Sequence, residues 1–242
     1  ATFSSGTMCP VTRFFSDGAR RYLDELAALQ ESLNQDADPR IDDIYERLKR
    51  ATHSSAQACR DLERELGEDA EALRAAQHRF REAIRPWFDL SWFMERSRTK
   101  PRGYPGDYLL LTGIYDNAPR AKGLGGYLDL YFLNSQLASA VRSRLQAARE
   151  FLQAEIASQA RPLEILNVAC GPSREFTHGW TPTPHPVAVT LIDMDRQALE
   201  FVEQRLEKAA PEGLRYRTCT YNALRMSSAQ KPSVTSSLRF FM

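Results

Sequence analysis

The stretch Pro162-Leu-Glu-Ile-Leu-Asn-Val-Ala-Cys-Gly-Pro-Ser-Arg-Glu-Phe176 limits this chain more than any other. A short apolar run stops at Ala169-Cys170-Gly171-Pro172 and restarts as a helix, expected from near Pro172. That order is strand, tight small-residue turn, helix N-terminus. Such a turn aims backbone N–H groups and the helix dipole at a polar ligand. About 20 residues on, a second apolar run, Val187-Ala-Val-Thr-Leu-Ile192, ends in Asp193-Met194-Asp195. An acidic residue at the end of the second strand suits a ribose hydroxyl pair. The pattern is the opening βαβ of a nucleoside-binding Rossmann-type domain.

The 242 residues are 43% hydrophobic and 26% charged, enough for one large domain or two small ones with a true core. A net charge of +1 argues against nucleic acid and anionic membrane as partners. No apolar run approaches a membrane span, and no signal peptide is legible. Cys9, Cys59, Cys170 and Cys219 form no CxxC and have no metal spacing with the four histidines. A cytoplasmic protein with reduced thiols and no metal is expected. Cys170 is read as a small packing residue of the turn.

The rest of the chain reads as helix. Residues 1–15 look like a loose leader, and Ser16 or Asp17 caps a first helix. A second runs from Ile41 to Leu66, ended by Gly67. A third runs from Glu68 to Phe93, kinked at Pro86. Trp87, Phe88, Trp92 and Phe93 are assigned to the helical core. Residues 98–126 form a Gly- and Pro-rich lid loop, containing a helix Tyr108–Tyr115. The longest helix is expected over Tyr127–Ser158, with Leu133, Leu137, Val141, Leu145, Ala148, Leu152 and Ile156 facing inward. Behind it come strands Glu164–Val168, Val187–Ile192 and Leu214–Tyr221, and a helix Arg196–Ala209 capped by Asp195. The expected fold class is α/β: an N-terminal helical cap (1–160), then a partial Rossmann-like domain with a C-terminal tail (161–242).

Those motifs resemble class I S-adenosylmethionine-dependent methyltransferases. Glu164–Ser173 matches their first motif, and Leu191-Ile-Asp-Met-Asp195 their acidic second one. Together with Lys100-Pro-Arg-Gly-Tyr-Pro-Gly-Asp-Tyr108, the first motif is similar to a bacterial subgroup, the extracellular-factor (3-hydroxypalmitate methyl ester) biosynthesis proteins. The resemblance covers residues 97–225. It implies that Ala169, Gly171, Pro172 and Ser173 line the methionine and ribose side of S-adenosylmethionine. Asp193 would hold the ribose hydroxyls and Met194 would pack on adenine. Asn222 would bond the adenine amino group through its side-chain oxygen, with Ala223 beside the adenine edge.

Two departures stand out. Only one glycine survives in the turn, and Asn167 stands where the family prefers an acid. A complete sheet of this family also continues beyond a third strand, and no fourth is recognisable. A truncated fragment, a strand swap with a second copy and a completing partner subunit are the open explanations. The partner is the one adopted, with Leu238–Phe241 as a docking segment.

For chemistry, Gly103, Pro105 and Gly106 make a rigid turn that presents Arg102, Tyr104, Asp107 and Tyr108. Asp107 is a candidate general base, Tyr104 or Tyr108 a donor to developing charge, and Arg102 a carboxylate or sulfate clamp. The competing reading makes Asp107 a helix cap. Arg174 and Glu175 either face the ligand or pair at the surface, and His178 and Trp180 lie nearby in sequence. The function expected is small-molecule methyl transfer. The first alternative keeps the scaffold, with a partner subunit, and loses the cofactor. It then runs a non-methylating displacement, such as ring closure with loss of sulfate or phosphate, in secondary-metabolite biosynthesis. The second alternative is a non-catalytic regulatory half-domain.

Overall fold

The computed structural model describes residues 8–35, 40–177 and 185–225. In chain order its helices are α1 (Pro10–Arg13), a π-helical turn (Phe14–Gly18), α2 (Ala19–Gln35), α3 (Ile41–Leu66), α4 (Ala70–Phe88), α5 (Trp92–Thr99), α6 (Tyr108–Asp116), α7 (Gly123–Leu133), α8 (Gln136–Ser158) and α9 (Arg196–Ala209). The strands are β1 (Leu163–Val168), β2 (Val187–Asp193) and β3 (Leu214–Thr220). Short 3-10 turns occupy Arg174–Phe176 and Ala223–Arg225. No helix among the described residues is long and apolar enough to cross a membrane.

The chain forms two compact units, and the division is not a single cut. The first comprises Ala1–Pro101 with Asn117–Ser135, the second Arg102–Asp116 with Gln136–Met242. Helices α6 and α8, assigned by the sequence reading to the helical front, therefore belong with the sheet.

In the helical unit, Tyr22, Leu26 and Leu29 of α2, Ile44 and Leu48 of α3, and Leu124 and Leu128 of α7 form one apolar core. Their three- and four-residue steps put them on single helix faces. Helix begins at Pro10, earlier than expected, because proline suits a first turn. The expected third helix is two helices. Pro86 sits inside α4, which ends at Phe88, and Ser91 then caps α5 by accepting from Met94 N at 3.2 Å. Phe93 is fully buried and stacks on Phe132 with centroids 5.2 Å apart, so the aromatic cluster is core as expected.

This unit is built round a carboxylate. Asp129 is wholly buried; its Oδ1 accepts from Ser91 Oγ (2.6 Å) and Phe93 N (3.3 Å). Its Oδ2 accepts from Arg120 N (2.8 Å) and Ala121 N (2.9 Å). One turn away, a Cβ at Gly125 would stand 2.2 Å from the Leu90 carbonyl oxygen, so only glycine fits there.

The single long helix expected over Tyr127–Ser158 is broken at Asn134–Ser135. Asn134 turns its side-chain amide back to the Leu130 carbonyl (2.9 Å), closing α7. The inward stripe fails accordingly at Leu137, which is 69% exposed, and holds at Ile156.

In the second unit β1, β2 and β3 form a parallel sheet in that order, with Leu163 opposite Val187 and Val187 opposite Leu214. This is the expected α/β class with a partial Rossmann-like sheet. Buried Ile165, Val189, Leu191, Leu199, Val202 and Leu206 pack sheet and α9 together, with Ile156 of α8. Helix α9 has the expected bounds, and Asp195 caps it by accepting from Gln197 N at 3.0 Å.

The helix expected from Pro172 is absent among the described residues. Ser173 adopts left-handed geometry (φ 42°), and only the 3-10 turn Arg174–Phe176 follows. A left-handed residue interrupts helical propagation. The turn therefore lacks the helix dipole that the sequence led one to expect. His178, Trp180 and Leu238–Phe241 lie outside the described residues.

Candidate functional site

The carboxyl ends of the parallel strands meet at a turn of unusual backbone. Ala169, Gly171 and Ser173 all have positive φ, at 54°, 51° and 42°. For residues other than glycine this costs about 1–2 kcal/mol each. Such strain persists only where surrounding contacts fix it. Here Cys170 N donates to Ile192 O (3.0 Å), and Ser173 Oγ donates to Cys170 O (3.2 Å). Pro172 and Ser173 are buried, whereas Ala169 is exposed. Burial pushes the Cys170 thiol up to about 12, so it is a packed thiol and not a nucleophile.

Asp193 ends β2 and faces this turn. Gly171 N donates to its Oδ2 and Asp195 N to its Oδ1, both at 2.9 Å. A carboxylate has about four lone-pair sites, so each oxygen keeps one for a further donor. Met194 beside it is 63% exposed. A cleft of about 480 Å3 opens beside Met194 and Asp195, lined also by Arg102, Tyr104, Arg196, Gln197 and Glu200.

The four residues expected to be catalytic reach this region in other roles. Arg102 grips Asp195 through Nε and Nη2 and donates from Nη1 to Gln197 Oε1 (2.6 Å). Tyr104 donates its hydroxyl to Asp195 Oδ2 at 3.0 Å. Burial raises the Tyr104 phenol, and the Asp195 carboxylate adds to the effect, so it stays protonated. Burial alone would raise Asp195, yet the Arg102 fork and Tyr104 hydroxyl outweigh it and hold the carboxyl below its ordinary range. Asp107 is buried and caps α6, its Oδ1 accepting from Leu109 N (2.9 Å) and Leu110 N (3.1 Å). These are the contacts of the helix cap, the reading that competed with the general base. Tyr108 packs its ring on Phe201, centroids 5.2 Å apart.

Asn222 spends its Oδ1 on Leu224 N (3.0 Å), and Ala223 opens the last 3-10 turn. Asn167 donates from Nδ2 to Ser173 Oγ (3.1 Å) and Glu175 Oε1 (2.6 Å). An aspartate at 167 has no donor to give, so the neutral residue is matched to Glu175. Burial raises the Glu175 carboxyl above its usual range, against the Asn167 bond and the nearby Arg149 and Arg144.

A larger cleft, about 690 Å3, lies in the helical unit between the π-helical turn, α2 and α3. Four of its charges pair internally, Arg47 with Glu25 at 3.0 Å and Arg21 with Asp17 at 2.5 Å. The strand-end cleft has the better chemistry despite its smaller size. Ligands of open α/β sheets bind at the carboxyl ends of the strands, and the strain and the Asp193 carboxylate are there too.

Sequence reasoning missed the Arg102–Asp195 pair, 93 residues apart, and the role of Glu175. The unusual Asn at 167 was the available signal for the latter. Compared with known proteins, the chain matches no family model, no curated protein and no solved structure.

Proposed function

We propose that the chain is an S-adenosylmethionine-dependent methyltransferase-like enzyme acting on a small molecule. The observation that carries this is Asp193. It is a buried carboxylate at a parallel strand end, held by two backbone amides with one lone pair of each oxygen left over, and the two residues that follow it, Met194 and Asp195, line an open cleft. That arrangement suits a vicinal ribose diol. Exposed Met194 is placed to pack on a purine, and Asn222 keeps its amide hydrogens for the purine edge. The nucleoside half of the cofactor therefore fits the residues present.

When bound, the cofactor supplies a methyl group on a sulfonium that is already a good leaving group. The protein's own contribution is alignment and exclusion of water. Arg102 and Tyr104, anchored on Asp195, pin the loop over the strand ends that would do this. A small carboxylic acid is the acceptor that the resemblance suggests.

A partner belongs to the proposal. Among the described residues β1 is an open edge reading Leu-Glu-Ile-Leu-Asn-Val, whereas the opposite edge, β3, carries Arg215, Arg217 and Thr218. Polar edges resist further pairing and apolar ones invite it. We infer that a strand from a second subunit, or a second copy, pairs along β1. A monomeric mass at micromolar concentration, alone and with the product of an adjacent gene, would overturn this.

A second reading rests on Asn167. Its amide is committed to Ser173 and Glu175, so no acid stands at the end of β1 for the cofactor's amino group. A repurposed site that performs a non-methylating displacement fits that feature. Calorimetric titration with S-adenosylhomocysteine separates the two. Micromolar binding that is lost in Asp193→Ala is the result expected for methyl transfer, and no binding with or without a partner selects the second reading.

A further inference from the structure

Beside the turn, α8, the 3-10 turn and α9 bring three arginines into one cluster. Arg149 donates from Nη2 to the Arg174 carbonyl at 3.0 Å. Arg174 pairs with Asp116 and lies 6.0 Å over the Tyr115 ring. Arg205 lies 5.3 Å over the Phe201 ring and, among the described residues, makes no hydrogen bond or ion pair. Arg149 Nε and Arg205 Nη1 are both buried without an acceptor.

A buried guanidinium N–H without an acceptor costs free energy, and two such groups in one place call for an explanation. The electrostatics point the same way. Burial lowers the pKa of Arg149 and of Arg205, and the charge of Arg174 lowers both further. Asp116 offsets Arg205 and Glu175 offsets Arg149, but neither restores the balance. Asp116 is already engaged by Arg174, and Glu175 by Asn167. The cluster thus holds two guanidinium charges with no ion-pair partner among the described residues. Guanidinium forks match tetrahedral oxyanions geometrically, and a dianion balances two charges.

We propose that Arg149, Arg174 and Arg205 form a binding site for a divalent tetrahedral oxyanion, either inorganic phosphate or sulfate, or the phosphate of a metabolite. The site does not depend on the cofactor reading.

The test is thermal unfolding of the full chain in phosphate, in sulfate and in glycerol phosphate, against chloride at matched ionic strength. Arg149→Gln and Arg205→Gln serve as variants. The expected result is a saturable rise in Tm whose half-saturation weakens by about tenfold or more in each variant. Nonspecific stabilisation by kosmotropic anions rises without saturating and persists in the variants. A response to glycerol phosphate at lower concentration than to phosphate identifies a metabolite, and the reverse order a free anion. Without added anion, each variant should melt at or above the wild-type temperature, because a repulsive charge has gone. An unsaturable response, variants that respond like wild type, or anion-free variants that melt well below it would each overturn the proposal.

Discussion

Asp129 and Asp193 are both buried carboxylates held by backbone amides, one in each unit, and they differ in what is left over. Asp129 accepts four bonds, one for each lone-pair site. Asp193 accepts two from its surroundings and keeps two sites unfilled. The first ties α5, α7 and the loop before α7 together and has nothing to offer a ligand. The second has acceptor capacity left over, which is what the proposed ribose contact requires. Burial and charge alone do not separate a structural acid from a binding one; the count of satisfied lone pairs does.

The comparison breaks most visibly at Asp129. Asp129→Ala leaves four donors without an acceptor in a closed interior, which should destabilise the helical unit by about 3–5 kcal/mol. Urea unfolding followed by circular dichroism measures this. A loss under about 1 kcal/mol would mean that water replaces the carboxylate and the site is not closed. Asp193→Ala strips only two amides. It should cost about 1–3 kcal/mol while abolishing nucleoside binding. A stability loss as large as that of Asp129→Ala would make Asp193 a structural acid too, and the proposed cofactor site would lose its main support.

Local chemistry is what the sequence exposed. Strand periodicity, the Gly67 stop and the Asp195 cap depend on neighbours a few residues apart, and those elements stand where expected. The break at Asn134–Ser135 was hidden because leucines continue at helical spacing on both sides of it. The partners of Asp129 Oδ1 lie 36 and 38 residues away, so nothing near it in sequence marks it as a buried anchor. The turn was legible in composition and misread in consequence. Small residues forecast its tightness, but three left-handed residues replaced the helix that was meant to carry the dipole. Arg102 and Tyr104 were read as catalytic candidates on a loop over the strand ends, and the contact they make there is with Asp195.

Asp195 supplies the smallest effect and the sharpest test of what holds the loop. Its carboxyl sits below its ordinary range in the folded protein because Arg102 and Tyr104 outweigh the effect of burial. A group with a depressed folded-state pKa stabilises the protein fully above its unfolded value, roughly 3.9. That stability drains away as pH falls through the folded value. Asp195→Asn keeps the shape and removes the charge, so it should cost about 1 kcal/mol at neutral pH, in keeping with a partly exposed ion pair. The gap between wild type and variant should be flat from neutrality to about pH 5 and close below pH 4. A gap that persists in acid would show that the charge is not what the substitution removes, because the cap bond from Gln197 N is available to the acid and to the amide alike. A gap that closes would assign it to the Arg102 fork and make protonation of one carboxylate the event that frees the loop from the strand ends.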